Sequence, residues 1–227
     1  MKIIEPSFEV LRPRDKEEGI NQLRFIEQMA RISHRSEELQ TDNSWERFIK
    51  FVVMTKGDWS VVEHAYSTVV FRVDRGVTHE LVRHRLFSYT QESTRFVNYQ
   101  KRGEMEFIAP SWHAVPSVDD AKLNQYLFTW QGAMSDAEDA YTNLIKDGLS
   151  PQIARSTLPN ALAATIAVTG NLRNWRHLLI MRTTQETHPD FKRVMIPLLT
   201  TMQQRIPLLF DDIVPGQKQS EALSKPR

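Results

Sequence analysis

Two of the longer runs of this chain read as strand. EHAYSTVVFRVDR (63–75) is rich in β-branched and aromatic residues, and ALAATIAVT (161–169) is a short apolar run. Each leads directly into helical spacing, and the other long periodic segments are helical too. This alternation constrains the fold more than any other feature: it asks for a small sheet flanked by helices. DKEEGINQLRFIEQMARIS (15–33) places Ile20, Leu23, Ile26 and Met29 three apart, an amphipathic helix. A second helix is expected over 42–57, with Asp42, Asn43 or Ser44 as cap and Gly57 as stop.

The rest of the chain fills in around these elements. GVTHELVRHRLF (76–87) returns to helical spacing and runs into a polar loop, and MEFIAP (105–110) is a short strand stopped by Pro110. A long helix is expected over 119–147, with Leu123, Tyr126, Leu127, Trp130 and Met134 near one face. SPQIARSTL (150–158) begins as a helix, with Ser150 as cap and Pro151 in its first turn, and Pro159 breaks it. Gly170-Asn171 turns into a helix over 171–182, and another covers 189–205. The expected fold class is therefore α/β (α+β): a single domain over 1–214 and a polar, frayed tail over 215–227.

With a net charge of +1, the surface as a whole does not attract nucleic acid, so anion binding must come from local clustering. No apolar run is long enough to span a bilayer, and MKIIEPSFEV lacks a signal-peptide layout, so no membrane and a cytoplasmic location are expected. The chain has no cysteine, which excludes a thiolate nucleophile.

The clustering lies in RHRLFSYTQESTRF (83–96). From 83 to 102 the basic residues Arg83, Arg85, Arg95, Lys101 and Arg102 face Glu92 alone, a local excess of four. A basic helix end would explain Arg83 and Arg85, because cations favour a helix C-terminus. It does not explain the serines, the threonines and Gln91 between the arginines. Guanidinium groups beside hydroxyls and amides suit a phosphate or a pyrimidine edge. The aromatics Phe87, Tyr89, Phe96 and Tyr99 could stack on single-stranded bases, on one nucleotide or on a flavin.

A second group is NLRNWRHLLIMR (171–182), where Trp175, Leu178, Leu179 and Arg182 share a helix face. Arg182 thus continues an apolar stripe, and an anion or carboxylate is expected to meet it. A structural salt bridge is the plainer explanation. His177 flanks the stripe, and Arg155, taken alone, reads as a solvated arginine. No G-x-x-x-x-G-K-[ST], G-x-G-x-x-G or G-x-S-x-G occurs, and His79 and His84 are five apart, a poor metal pair.

Arg83-His84-Arg85, seven residues and Ser93 resemble the R-H-R-x7-S signature of the flavin-dependent thymidylate synthases. GDWSVVEH (57–64) is similar to that family's G-H-x-[ST]-x-x-E-H. ARSTLP (154–159) and TGNLRNWRHLLIMR (169–182) follow in the family's order, so the resemblance runs from about residue 15 to 205. It implies conversion of dUMP to dTMP, with methylenetetrahydrofolate as one-carbon donor and NADPH-reduced FAD as hydride source. It also implies a homotetramer with active sites at subunit interfaces.

Position by position, the resemblance implies that Ser60, Arg83, His84, Arg85, Gln91, Asn171, Arg173 and His177 contact FAD. Glu80, Arg83, Gln91, Ser93, Thr94, Arg95 and Arg155 would contact dUMP, with Glu92 close by. Arg182 would lie against the uracil and favour ionisation at N3. A reduced flavin supplies the hydride in such enzymes, consistent with the missing thiolate, and Ser93 is expected as a ligand rather than a nucleophile.

Three features depart from the family pattern. Asp58 stands where histidine is usual, Glu80 where glutamine is common, and the segment after Arg182 is longer, so no role is carried to His188. Two other readings predict different behaviour. A single-strand nucleic-acid binding module would bind in a steeply salt-dependent way without flavin. A flavoprotein acting on another nucleotide would keep the fold and change the base-reading residues.

Overall fold

The computed structural model of the chain describes residues 1–114, 119–218 and 220–221. Six strands are found among them: β1 (Lys2–Ile4), β2 (Ser7–Arg12), β3 (Tyr66–Asp74), β4 (Ser88–Gln91), β5 (Glu106–Ile108) and β6 (Ala163–Asn171). Four form a sheet in the order β2-β3-β6-β4, and β1 pairs in parallel with β5 in the register Ile3 to Phe107. The helices are α1 (Lys16–Ile32), α2 (Ser44–Phe48), α3 (Arg75–Leu81), α4 (Asp120–Lys146), α5 (Pro151–Ala154), α6 (Leu172–Arg182) and α7 (Pro189–Arg205). The mixed helix-and-sheet class read from the sequence holds.

The chain divides into two compact units. The first comprises Met1–Ser7, Phe71–Arg83 and Thr90–Ile166. Its core gathers Tyr99, Met105, Phe107, Met134, Tyr141, Ala154 and Leu162, and Tyr99 meets Tyr141 edge-on at 5.9 Å. Asp74 caps α3 by accepting from the Val77 amide at 2.9 Å, and Asp119 caps α4 by accepting from Lys122 at 2.8 Å. Of the apolar face expected on α4, only Met134 is buried; Leu123, Tyr126, Leu127 and Trp130 are half-buried.

The second unit comprises Phe8–Val70, His84–Tyr89 and Ala167–Arg227. Leu23 and Ile26 of α1, Trp175, Leu178 and Leu179 of α6, and Phe191, Leu198 and Leu199 of α7 form its interior. Gly19 lies so close to the Arg205 carbonyl that a Cβ would overlap it, which is why α1 carries glycine there despite its low helix propensity. The second expected helix is α2 continued by a π-helical turn (Ile49–Thr55).

Several boundaries differ from those expected. β1 is too short, at three residues, to show an alternation, and β2 and β4 are largely polar and exposed; in these three strands only Val10 of β2 is buried. The helix expected to run to residue 87 ends at Leu81, and the expected loop after it contains β4, hydrogen-bonded to β6. α5 is a single turn continued by a tight 3₁₀ turn over Arg155–Thr157. The start of the tail is not frayed: the Gly216 amide donates to Thr183 O at 2.8 Å, and the Gln185 amide donates to Gln217 O at 3.0 Å. Residues 222–227 of the expected tail lie outside the described residues.

Candidate active site

In the first unit the candidate residues gather around the turn after β4. The turn is closed by the amides of Phe96 and Val97, both donating to Ser93 O at 3.2 and 3.0 Å. Ser93 Oγ accepts from the Arg95 amide at 3.3 Å. Thr94 is buried, and its Oγ1 accepts from Arg155 Nη1 at 3.3 Å. Arg95 is exposed, lies over the Phe96 ring at 5.4 Å, and donates from Nε and Nη2 to Gln152 Oε1 at 3.2 and 3.1 Å. Arg155 thus reaches the residue next to Arg95 although sixty positions separate them in sequence. Arg95 and Arg155 both reach this hydroxyl-bearing turn, and guanidinium groups beside hydroxyls are suited to a phosphate.

Upstream of the turn, Gln91 Nε2 donates to Thr78 Oγ1 of α3 at 2.9 Å. Glu80 is half-buried on α3, and the exposed Arg83 follows the helix, its amide donating to Glu80 O at 3.2 Å. The Glu92 carboxylate is engaged by protein: Oε2 accepts from Arg72 Nη1 at 2.9 Å and Oε1 from the Tyr99 hydroxyl at 2.9 Å.

The second unit assembles the other candidates on α6. Asn171 caps the helix, its Oδ1 accepting from the Asn174 amide at 2.8 Å. Asn174 Nδ2 donates to Leu86 O at 3.0 Å, which fastens segment 84–89 to the start of α6. Phe87 packs edge-on against Trp175 at 4.9 Å and lies against Gly170, where a Cβ would overlap its ring. Glycine at 170 is therefore needed for space, not for a special φ. The Tyr89 hydroxyl donates to His84 O at 2.7 Å, and burial raises its pKa to about 12, so it stays a donor at neutral pH.

His84 Nε2 accepts from Arg182 Nε at 3.0 Å, and the Arg182 guanidinium lies over the Phe191 ring at 5.3 Å. Burial, then the charges of Arg182 and His177, lower the His84 pKa to about 4. His84 is therefore neutral at physiological pH. Its lone pair is on Nε2, toward Arg182, and its proton is on Nδ1.

Arg173 is exposed and paired with Glu63, which joins α6 to the turn Trp59–His64 carrying the exposed Ser60. Arg85 and His177 are exposed. Asp58 is exposed at the start of that turn, and His188 occupies the N-cap position of α7. A surface cavity of about 480 Å³ in this unit is lined by Arg12, Asn21, Phe25, His64, Tyr66 and Thr169 among others, and includes none of the candidate residues.

One expectation on α6 needs correcting. The deeply buried arginine is Arg176, not Arg182, which is half-buried. Arg176 lies over Trp59 at 4.6 Å and pairs bidentately with Asp212 at 2.6 Å through Nη1 and Nη2. Nothing in the sequence pointed to Arg72, Gln152 and Thr78, and Tyr99, expected as a stacking aromatic, is instead buried in the core with its hydroxyl on Glu92. Each supports a candidate residue from another element, and no local spacing betrays such a partner. The lone Glu92 in a basic run was the one usable signal, since a buried carboxylate there needs a cation.

The model of the thymidylate synthase complementing protein family matches residues 19–208. The chain is 34% identical over 172 residues to a flavin-dependent thymidylate synthase of Corynebacterium efficiens, covering 70% of this chain and 66% of that protein. It is 32% identical over 165 residues to the protein of the same name from Geobacter sulfurreducens, covering 72% and 68%. The chain thus spans about two thirds of the length of these relatives. Its fold is similar to that of the UMP/dUMP methylase PolB of Streptomyces cacaoi, solved with 5-Br dUMP. The TM-score is 0.76 at 20% identity, over 93% of this chain and 96% of that one.

Proposed function

The chain belongs to the flavin-dependent thymidylate synthase family, and from that premise we propose that it converts dUMP to dTMP with methylenetetrahydrofolate as one-carbon donor and FAD reduced by NADPH. The observation that carries this reading is the Ser93–Arg95 turn, where Arg155 joins Arg95 from a distant segment. It supports a nucleotide phosphate held by Arg95, Arg155 and the Ser93 hydroxyl, with Thr94 as a buried prop. Glu80, Arg83 and Gln91 contact the same nucleotide, and Glu92 lies close to it. The PolB likeness agrees in fold and adds nothing on substrate.

The donor set of the second unit fits a flavin nucleotide. Arg85, Arg173, His177 and Ser60 are exposed cationic, imidazole and hydroxyl groups suited to a diphosphate and ribityl chain. The amide of Asn171 and the imidazole of His84 supply further polar contacts; Arg83 and Gln91, which belong to the first unit, are proposed as flavin contacts from the family resemblance alone. When bound, the reduced flavin supplies a hydride. The protein's own share is to bind, orient and polarise, because no cysteine is present to attack the pyrimidine.

In this reading Arg182 faces the uracil, where its fixed positive charge stabilises negative charge developing at N3. His84, neutral at the pH of turnover, accepts from Nε and fixes the plane of that guanidinium. The working form is a cytoplasmic homotetramer with active sites at subunit interfaces, built from one catalytic domain over 1–214.

Anaerobic titration of FAD-loaded protein with NADPH, with and without dUMP, tests the assignment. Retained flavin that is bleached by NADPH, with a spectrum perturbed by dUMP, is expected. Protein that retains no flavin, or flavin indifferent to dUMP, contradicts it.

A further inference from the structure

Glu92 is an anomaly in its neighbourhood. It is the single acid between Arg83 and Arg102, and it precedes the residues that seat the phosphate in the reading above. An unpaired carboxylate there would repel the ligand and resist burial. Its side chain is only 12% exposed, so its partners decide its role.

Arg72 of β3 is the main partner. Its planar fork donates from Nη1 to Glu92 Oε2 at 2.9 Å and Thr165 Oγ1 at 3.1 Å, and from Nη2 to Glu106 Oε2 at 2.7 Å. Glu106 also accepts from Lys2 at 3.2 Å, and its pKa is lowered first by the Arg72 hydrogen bond, so it stays ionised. Tyr99 donates to the other oxygen of Glu92 at 2.9 Å, and burial holds its hydroxyl well above the ordinary phenol range. The backbone agrees: the Glu92 amide donates to Thr165 O at 2.8 Å. Glu92 is thus locked between β3, β6 and Tyr99, and both its oxygens are engaged.

We propose that Arg72 is a positioning residue for the nucleotide turn: through Glu92 it fixes the backbone from which Ser93, Thr94 and Arg95 project, and, with Lys2 sharing Glu106, it offsets the Glu92 charge beside the phosphate seat. The turn is then held from two sides, by Arg72 through Glu92 and by α5 and the turn after it through Gln152 and Arg155. The nucleotide part of this inference rests on the function proposed above; the loop-fixing part does not.

The test is Arg72→Met, read by amide hydrogen exchange across residues 92–97 and by dUMP affinity. Exchange of these amides should rise, and dUMP affinity should fall about tenfold, as for loss of one charge-assisted hydrogen bond. KM should rise more than kcat falls. Arg72→Met/Glu92→Leu, which removes both charges, should regain part of the lost affinity, an outcome that a merely destabilised fold would not give. Unchanged exchange in a folded Arg72→Met protein overturns the proposal, as does a loss confined to kcat. If wild-type protein fails to bind dUMP while Arg72→Met still loosens the turn, the functional reading fails and the positioning role stands. Should Arg72→Met not fold, Tyr99→Phe with Glu92→Gln reads out the same turn, and unchanged exchange there is equally fatal.

Discussion

Arg182 donates from Nε to Nε2 of His84 at 3.0 Å, so the histidine of the R-H-R run orients the arginine that ends α6. A neutral imidazole is a suitable partner, because it accepts a hydrogen bond without neutralising the guanidinium charge. A carboxylate in its place would offset that charge just where the proposed chemistry uses it.

His84→Ala removes the acceptor and leaves Arg182 to its remaining contacts. Steady-state kinetics should show kcat for dTMP formation falling about 10- to 100-fold, the scale of a misoriented catalytic group. The KM for dUMP should change much less. An unaltered kcat would contradict the orienting role.

Arg182→Ala should go further and remove about 3 kcal/mol of transition-state stabilisation, a loss of about a hundredfold or more. Flavin absorbance on the purified variant should remain. Its disappearance would assign Arg182 to cofactor binding instead.

The depressed pKa of His84 makes a stability prediction. Its folded value of about 4 lies below the ordinary 6.5, so between these values the unfolded chain binds more protons. Stability contributed by neutral His84 is therefore complete above about pH 6.5 and falls as pH drops toward about 4. The imidazole is partly exposed, so solvent screening reduces the effect to about 1–2 kcal/mol. Chemical denaturation of wild type and His84→Gln across this range should show a shallower pH slope in the variant.

Some of this was legible in the sequence and some was not, and the difference is physical. α6 declares itself through its apolar stripe, and the Arg83–Ser93 run through its crowding of donors. Yet heptad arithmetic on α6 points to Arg182 as the buried cation. Burial goes instead to Arg176, because Asp212, thirty-six residues away in sequence, meets it. β4 is Ser-Tyr-Thr-Gln, a polar segment made into a strand by pairing with β6. The Arg72, Glu92 and Glu106 cluster is likewise a product of tertiary structure.

The buried pair offers its own check. Asp212→Ala leaves a guanidinium that is 5% exposed without its bidentate partner, and unfolding free energy should fall by about 3 kcal/mol. The kinetic constants of the remaining folded protein should be unchanged. A marginal stability effect would mean that the Leu209 carbonyl and the Trp59 face satisfy Arg176 unaided.

Gly170→Ala should push the Phe87 ring off Trp175 and disturb segment 84–89, weakening flavin retention. Adding Phe87→Ala should relieve the clash. A double-mutant cycle on flavin affinity should show coupling between the two positions of about 1 kcal/mol or more, whereas additivity would rule out the contact as the cause.

The most direct test of the central claim is dTMP formation by the purified protein from dUMP, methylenetetrahydrofolate and NADPH, with and without FAD. Product that requires both FAD and NADPH is the predicted result. No product with every component present, or product formed equally well without FAD, would contradict a flavin-dependent, cysteine-free thymidylate synthase.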